Sequence, residues 1–159
     1  NMSLTLRSIA FSNGGEIPSK YTCERENIAP PLQWDGVPEN ARSLVLIVDD
    51  PDAPDPEAPT MTWVHWLLYN IPPGTTRLDE GSSPDELPAG AEEGLNDWNN
   101  IGYGGPCPPV GRHRYFHRLY ALDSTLEGIS KPTRSKLEAA MDGHIIAESE
   151  LIGTYAKSG

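Results

Sequence analysis

Carboxylates and imidazoles are concentrated in three stretches of this chain. The first, DDPDAPDPEAP from residue 49, places five acids and four prolines in eleven positions, directly after an apolar run. Proline fixes φ and drives the preceding residue to extended geometry, so Pro51 and Pro54 aim Asp50 and Asp52. The second is His65 within TWVHWLLYNI. The third is GYGGPCPPVGRHRYFH, residues 102–117, where alternation sets His113, Tyr115 and His117 on one face and Arg114 on the other. Gly104 and Gly105 allow backbone N–H groups to point into a concavity, which suits an anion. A carboxylate beside an imidazole favours the charged ring. The braced acids, with Asp49 beside them, are therefore expected to orient and charge His65 and His113. A small anion would then meet two cationic donors and the Gly105 N–H, each charge-assisted bond contributing roughly 1.5–3 kcal/mol. Binding of this kind weakens above about pH 7, as the imidazoles lose their protons. Asp50 is also placed to receive an ammonium group, with an aromatic wall from a Trp or Tyr.

Each stretch has a plainer reading: a strand-ending turn with solvated acids, a satisfied core histidine, a hairpin approach with a partly buried histidine. The coincidence of all three in one small chain favours a site. An enzymatic alternative uses Asp50, Asp52, His65 and His113 as a metal site or acid–base set for a phosphoester. No HExxH spacing, G-x-S-x-G elbow or Walker loop supports it, and no cofactor is expected.

The elements that must position these residues are short β-type runs: LTLRSIAF near the start, SLVLIVDD at 43–50, TWVHWLLYNI at 62–71, HRYFHRLYALD at 113–123 and HIIAESELIGTY at 144–155. Alternation puts His65, Leu67 and Tyr69 on one face of their strand and Val64, Trp66 and Leu68 on the other. One helix is expected over TRSKLEAAMDGH, with a Ser or Thr cap and Gly143 at its end. Residues 72–110 hold seven glycines, seven prolines, seven acids and one base, Arg77. A loop of that length inside a compact domain is usually functional, and too little chain flanks it for two cores. One domain over residues 1–159 is expected, wrapped by an acidic surface.

The net charge of -11 argues against nucleic acid and anionic membranes as partners, because nothing neutralises phosphates along a surface. No run of 18 apolar residues suggests a membrane span and no signal peptide is visible, so a cytoplasmic location is expected, or a periplasmic one if a leader has been removed. Asn1 ahead of Met2 reads as an addition to the natural start. Cys23 and Cys107 read as two reduced thiols, with a single disulfide between them left open.

DPDAP followed by WVHW and then GYGGPCPPVGRHRY resembles the phosphatidylethanolamine-binding protein family, also called Raf-kinase-inhibitor-like proteins. YTCERENIAPPLQW and GHIIAESELIGTY are similar to its bacterial and archaeal branch, and the resemblance runs in order through nearly the whole chain. It implies a mainly β fold, a large antiparallel sheet packed with a smaller one and a short helix at the side. It also implies a pocket for a small anion such as phosphate or a phosphoethanolamine head group. By motif, Asp50 and Asp52 match the two acids of DPDAP and His65 the pocket histidine. Gly105 and Pro106 match the glycine–proline lip, and His113 and Tyr115 the histidine and tyrosine of GxHRY. Family members inhibit kinases and a serine carboxypeptidase, which implies a regulatory role with a kinase or protease target, and bacterial relatives imply a homodimer. Val64 stands where animal members have a second histidine, and their longer C-terminal helical segment has no counterpart in this sequence, which weighs against carrying over the kinase-binding and lipid-carrier roles of the animal members.

Overall fold

Residues 3–82 and 84–158 are described by a computed structural model; Asn1, read above as an addition, lies outside them. The strands are β1 (Thr5–Arg7), β2 (Leu32–Asp35), β3 (Ser43–Ala53), β4 (Met61–Ile71), β5 (Arg77–Leu78), β6 (Glu92–Glu93), β7 (His113–Leu122) and β8 (Ile145–Tyr155), with one α-helix, α1 (Arg134–Met141). They form a five-stranded sheet in the order β6-β4-β3-β7-β8 and a three-stranded sheet in the order β1-β2-β5, antiparallel throughout. The expected pairing of a large sheet with a smaller one is what the chain adopts.

β3 is the centre of the large sheet and is covered on both sides, which is why it reads as the unbroken apolar run LVLIV. Leu44, Leu46 and Val48 share an inner core with Leu6, Leu32 and Trp34 of the small sheet. Val45 and Ile47 join an outer core capped by Leu137 and Met141 of α1. Each such buried aliphatic side chain contributes roughly 1.5–3 kcal/mol. The helix begins where the sequence suggests: the Thr133 hydroxyl accepts the Lys136 N–H, and Gly143 takes up a positive φ just beyond its end.

Two expectations shorten. The run LTLRSIAF contributes only Thr5–Arg7, because the Ser8 hydroxyl accepts the Ala10 N–H and donates to the Pro31 carbonyl, turning the chain out of the strand. Residues 72–110 are not structureless; they supply β5, β6 and a bridge between Leu95 and Ile101.

Candidate functional site

The C-terminal end of β3, the N-terminal ends of β4 and β7, and the segment before β7 enclose a cavity of about 340 Å³. This lies within the range of small-molecule sites. Asp50, His65, His113 and Tyr115 line it, with Trp63 and Trp98 as aromatic walls and Met61, Pro54, Pro108 and Pro109 at its margin. Four of the seven residues expected at the site are thus brought together.

His65 reaches the cavity by a route that alternation does not show. Val48 pairs with Trp66 and Asp49 with Val64, so His65 is an extra residue in β4, a β-bulge. Strict alternation puts His65 on the Leu67 and Tyr69 face. The bulge instead turns it to the inner face, edge-on to Tyr115, with ring centroids 5.2 Å apart. Past the bulge, Trp63 lies opposite Asp50 and both line the cavity.

The hydrogen bonds at the floor separate the two imidazoles, both of which were expected to be charged donors to a ligand. His113 Nδ1 donates to Asp50 Oδ2 at 2.6 Å, while its Nε2 faces the Val110 carbonyl at 2.8 Å. With acceptors at both nitrogens the ring has no donor left for a ligand. The other Asp50 oxygen accepts the Asp52 N–H at 2.8 Å. Burial raises the Asp50 carboxyl above its usual range, against the pull of the His113 bond.

His65 has no carboxylate partner. Its Nδ1 bonds the Gly104 carbonyl at 2.7 Å, and Trp98 packs edge-on at 5.1 Å. Burial pushes the imidazole down to about 4, against the pull of the Gly104 and Gly105 carbonyls. His65 is therefore neutral near pH 7, with its proton on Nδ1 and an acceptor lone pair on Nε2. The acids do not charge it, because Asp50 is engaged by His113 and Asp52 faces elsewhere.

Asp52, Gly105 and Pro106 do not line the cavity. Asp52 receives the Arg114 backbone N–H at 2.9 Å, Nε at 3.0 Å and a terminal nitrogen at 2.9 Å, on the face where alternation places Arg114. The Arg114 bond holds the Asp52 carboxyl below its usual range. The glycine N–H groups are occupied: Gly104 donates to the His65 carbonyl at 3.0 Å and Gly105 to Asn27 Oδ1 at 2.8 Å. A Cβ at Gly105 would sit 2.2 Å from the Tyr21 carbonyl, so the residue is glycine for close approach to segment 21–27, not to cradle an anion. Pro106 accepts the Cys23 N–H at 3.1 Å.

These contacts bring Cys23 and Cys107 together as a disulfide across 84 residues, in place of the two reduced thiols expected. Sequence spacing carries no record of that approach. The bridge fastens the Cys107–Pro109 wall of the cavity to the N-terminal segment.

Tyr115 supplies the feature that sequence reading did not foresee in this form. The residue lines the cavity and is 1% exposed, and its buried hydroxyl has no hydrogen-bond partner among the described residues. Burial raises its pKa, so it stays a hydroxyl. Trp63 and Trp98 form the aromatic wall, which was expected from a Trp or Tyr without either being singled out. The one signal for Trp98 was a large aromatic side chain in an otherwise polar loop; it is 40% exposed. Among the described residues no group of three or more His, Cys, Asp or Glu is arranged to hold a metal ion, and no helix is long and apolar enough to cross a membrane.

The model of one protein family, described as phosphatidylethanolamine-binding protein, matches residues 7–156. A UPF0098 protein of Methanothermobacter thermautotrophicus is 50% identical over 156 residues, covering 97% of this chain and 99% of the relative. Among solved structures, a putative phosphatidylethanolamine-binding protein homologue from Chlamydia trachomatis superposes with a TM-score of 0.91 at 46% identity, covering 99% of this chain and 100% of that one. Escherichia coli YbcL, described as a member of the mammalian PEBP family, gives a TM-score of 0.88 at 29% identity over the same shares.

Proposed function

The chain belongs to the phosphatidylethanolamine-binding protein family, and from that premise we propose that its cleft binds a small phosphorylated ligand such as phosphate or a phosphoethanolamine head group. Occupancy of the cleft would then modulate a partner enzyme of the kinase or protease kind. The observation that carries the reading is the Tyr115 hydroxyl, buried without a partner on a residue that lines the cavity. A buried hydroxyl left unpaired costs roughly 1–3 kcal/mol, and a ligand oxygen that accepts its proton recovers that cost. The phosphate end of the ligand accepts from Tyr115. An ammonium end is drawn to the Asp50 carboxyl and the faces of Trp63 and Trp98. The account favours binding over turnover, because Asp50 and His113 are bonded to each other and His113 to Val110.

A titration of ¹⁵N-labelled protein with phosphoethanolamine at pH 6 tests it. Saturable shifts at His65, Gly104 and Tyr115 are expected, with affinity about tenfold weaker in Tyr115→Phe, the loss of one hydrogen bond to a charged group. Absence of shifts in the wild-type protein, or an unchanged affinity in the variant, overturns the reading. Inorganic phosphate appearing in the same tubes would support the phosphoester hydrolase alternative instead.

A further inference from the structure

We infer that the cleft selects oxyanions that still carry a proton, taking phosphate or a phosphomonoester as its monoanion and discriminating against sulfate and phosphodiesters. This rests on the reading of the cleft as a phospho-ligand site and adds which phosphorylated ligands it admits.

The inference follows from counting donors and acceptors at the cavity. Tyr115 offers one O–H. His65, with Nδ1 bonded to Gly104, presents the Nε2 lone pair. Asp50 presents carboxylate oxygens that, though already bonded to His113 and the Asp52 N–H, keep further lone pairs. The imidazole and glycine donors first expected for an anion are committed: both His113 nitrogens, the Gly104 N–H and the Gly105 N–H. No Lys or Arg lines the cavity, and Arg114 is tied to Asp52 away from it. The groups facing His65 are His113, Tyr115 and the buried His117 from β7, the Trp98 indole, and the Gly104 and Gly105 carbonyls, with Asp50 from β3 lining the same cavity. None of them is a lysine or an arginine.

A fully ionised oxyanion carries acceptors alone. It satisfies Tyr115 but sets its remaining oxygens against the lone pairs of His65 and Asp50, where repulsion is screened less than in bulk water. A P–OH group reverses that contact by donating to Nε2 or to Asp50, while a neighbouring P–O⁻ accepts from Tyr115. Sulfate near neutral pH has no such proton. Neither does a phosphodiester, and the phosphate of an intact phospholipid is a diester. The site therefore fits free phosphomonoesters such as phosphoethanolamine better than a lipid carrying the same head group.

The pH dependence then belongs to the ligand and not to the protein. A phosphomonoester with a second pKa of about 6 is half protonated at pH 6 and about one-hundredth protonated at pH 8, so its apparent affinity falls roughly fiftyfold. A pocket built on imidazolium would lose every anion over the same pH interval, whatever the ligand.

The experiment is a calorimetric titration of the full chain with inorganic phosphate, phosphoethanolamine, dimethyl phosphate and sulfate, at pH 6 and pH 8 and constant ionic strength. Phosphate and phosphoethanolamine are expected to bind at pH 6, and phosphoethanolamine to weaken about fiftyfold at pH 8. Sulfate and dimethyl phosphate are expected to be at least about tenfold weaker at pH 6, the loss of one charge-assisted hydrogen bond. Sulfate binding as tightly as phosphate at pH 6, with one pH profile shared by all four, overturns the proton requirement and leaves the phospho-ligand reading standing. Failure of all four to bind overturns the reading and the requirement together.

Discussion

Asp49 and Asp50 are neighbours on β3, both buried, and they point to opposite faces of the same sheet. On the outer face Asp49 receives Arg118 Nε at 3.0 Å and an Arg134 terminal nitrogen at 2.7 Å, tying β7 and the first turn of α1 to β3. On the inner face Asp50 meets one imidazole and one backbone N–H, beside a histidine held neutral and a hydroxyl with no partner. The first cluster is a closed ion network over packed side chains. The second leaves hydrogen-bonding capacity open at a cavity. The contrast separates a buried charge that holds the fold from one that awaits a ligand: the polar inventory is balanced at the first and unbalanced at the second.

Acid separates the faces most strongly. Burial holds His65 and His117 neutral, each pushed down to about 4. The unfolded chain, with histidines near 6.5, binds more protons than the folded chain between those values. Stability is thus fully present above about pH 6.5 and is lost as pH falls toward about 4, by a few kcal/mol per ring. The raised Asp50 carboxyl offsets part of the loss. Both rings sit on the inner face, and no histidine joins the Asp49 cluster. Urea midpoints at pH 7, 5.5 and 4.5 should therefore fall steadily, with Tyr115 and His65 signals broadening before those of α1. A flat profile would break the distinction.

The disulfide comes next. Replacing Cys23 and Cys107 by serine removes a cross-link spanning 84 residues, a loss of roughly 4–5 kcal/mol on the chain-entropy account. Because Cys107 belongs to the cavity wall, ligand affinity should fall with stability, and thermal melts beside phosphate titrations would show both. The Asp49→Ala variant should cost about 3 kcal/mol, the low end for breaking a buried pair, because Arg118 and Arg134 remain 24% and 23% exposed and can rehydrate. It should leave phosphate affinity unchanged. A loss of binding there would mean that the two faces are coupled through β3. Smallest in stability is Tyr115→Phe, expected to be neutral or about 1 kcal/mol more stable while binding weakens about tenfold. That opposition of sign distinguishes the open site from the closed one.

Much of this was legible in the sequence. The five β-type runs each contribute a strand, the first only Thr5–Arg7, and Thr133 and Gly143 bracket the helix by local chemistry. His113 and Tyr115 fall on the cavity face by simple alternation. What escaped depends on contacts distant in the chain. His65 turns inward through a bulge set by pairing with β3. The Gly105 N–H is occupied because Asn27, 78 residues away, lies against the lip. The imidazolium expectation failed at His65 because type and proximity of residues cannot tell which imidazole a carboxylate will choose. Asp50 bonds His113, and His65 is left to desolvation.

The most direct test of the central claim is a ¹⁵N spectrum of the histidine ring nitrogens at pH 6.5, with and without phosphate. The account predicts a neutral His65 with its proton on Nδ1, and a shift of the unprotonated Nε2 resonance when phosphate donates to it. A His65 ring protonated on both nitrogens, or an Nε2 resonance indifferent to saturating phosphate, would contradict it.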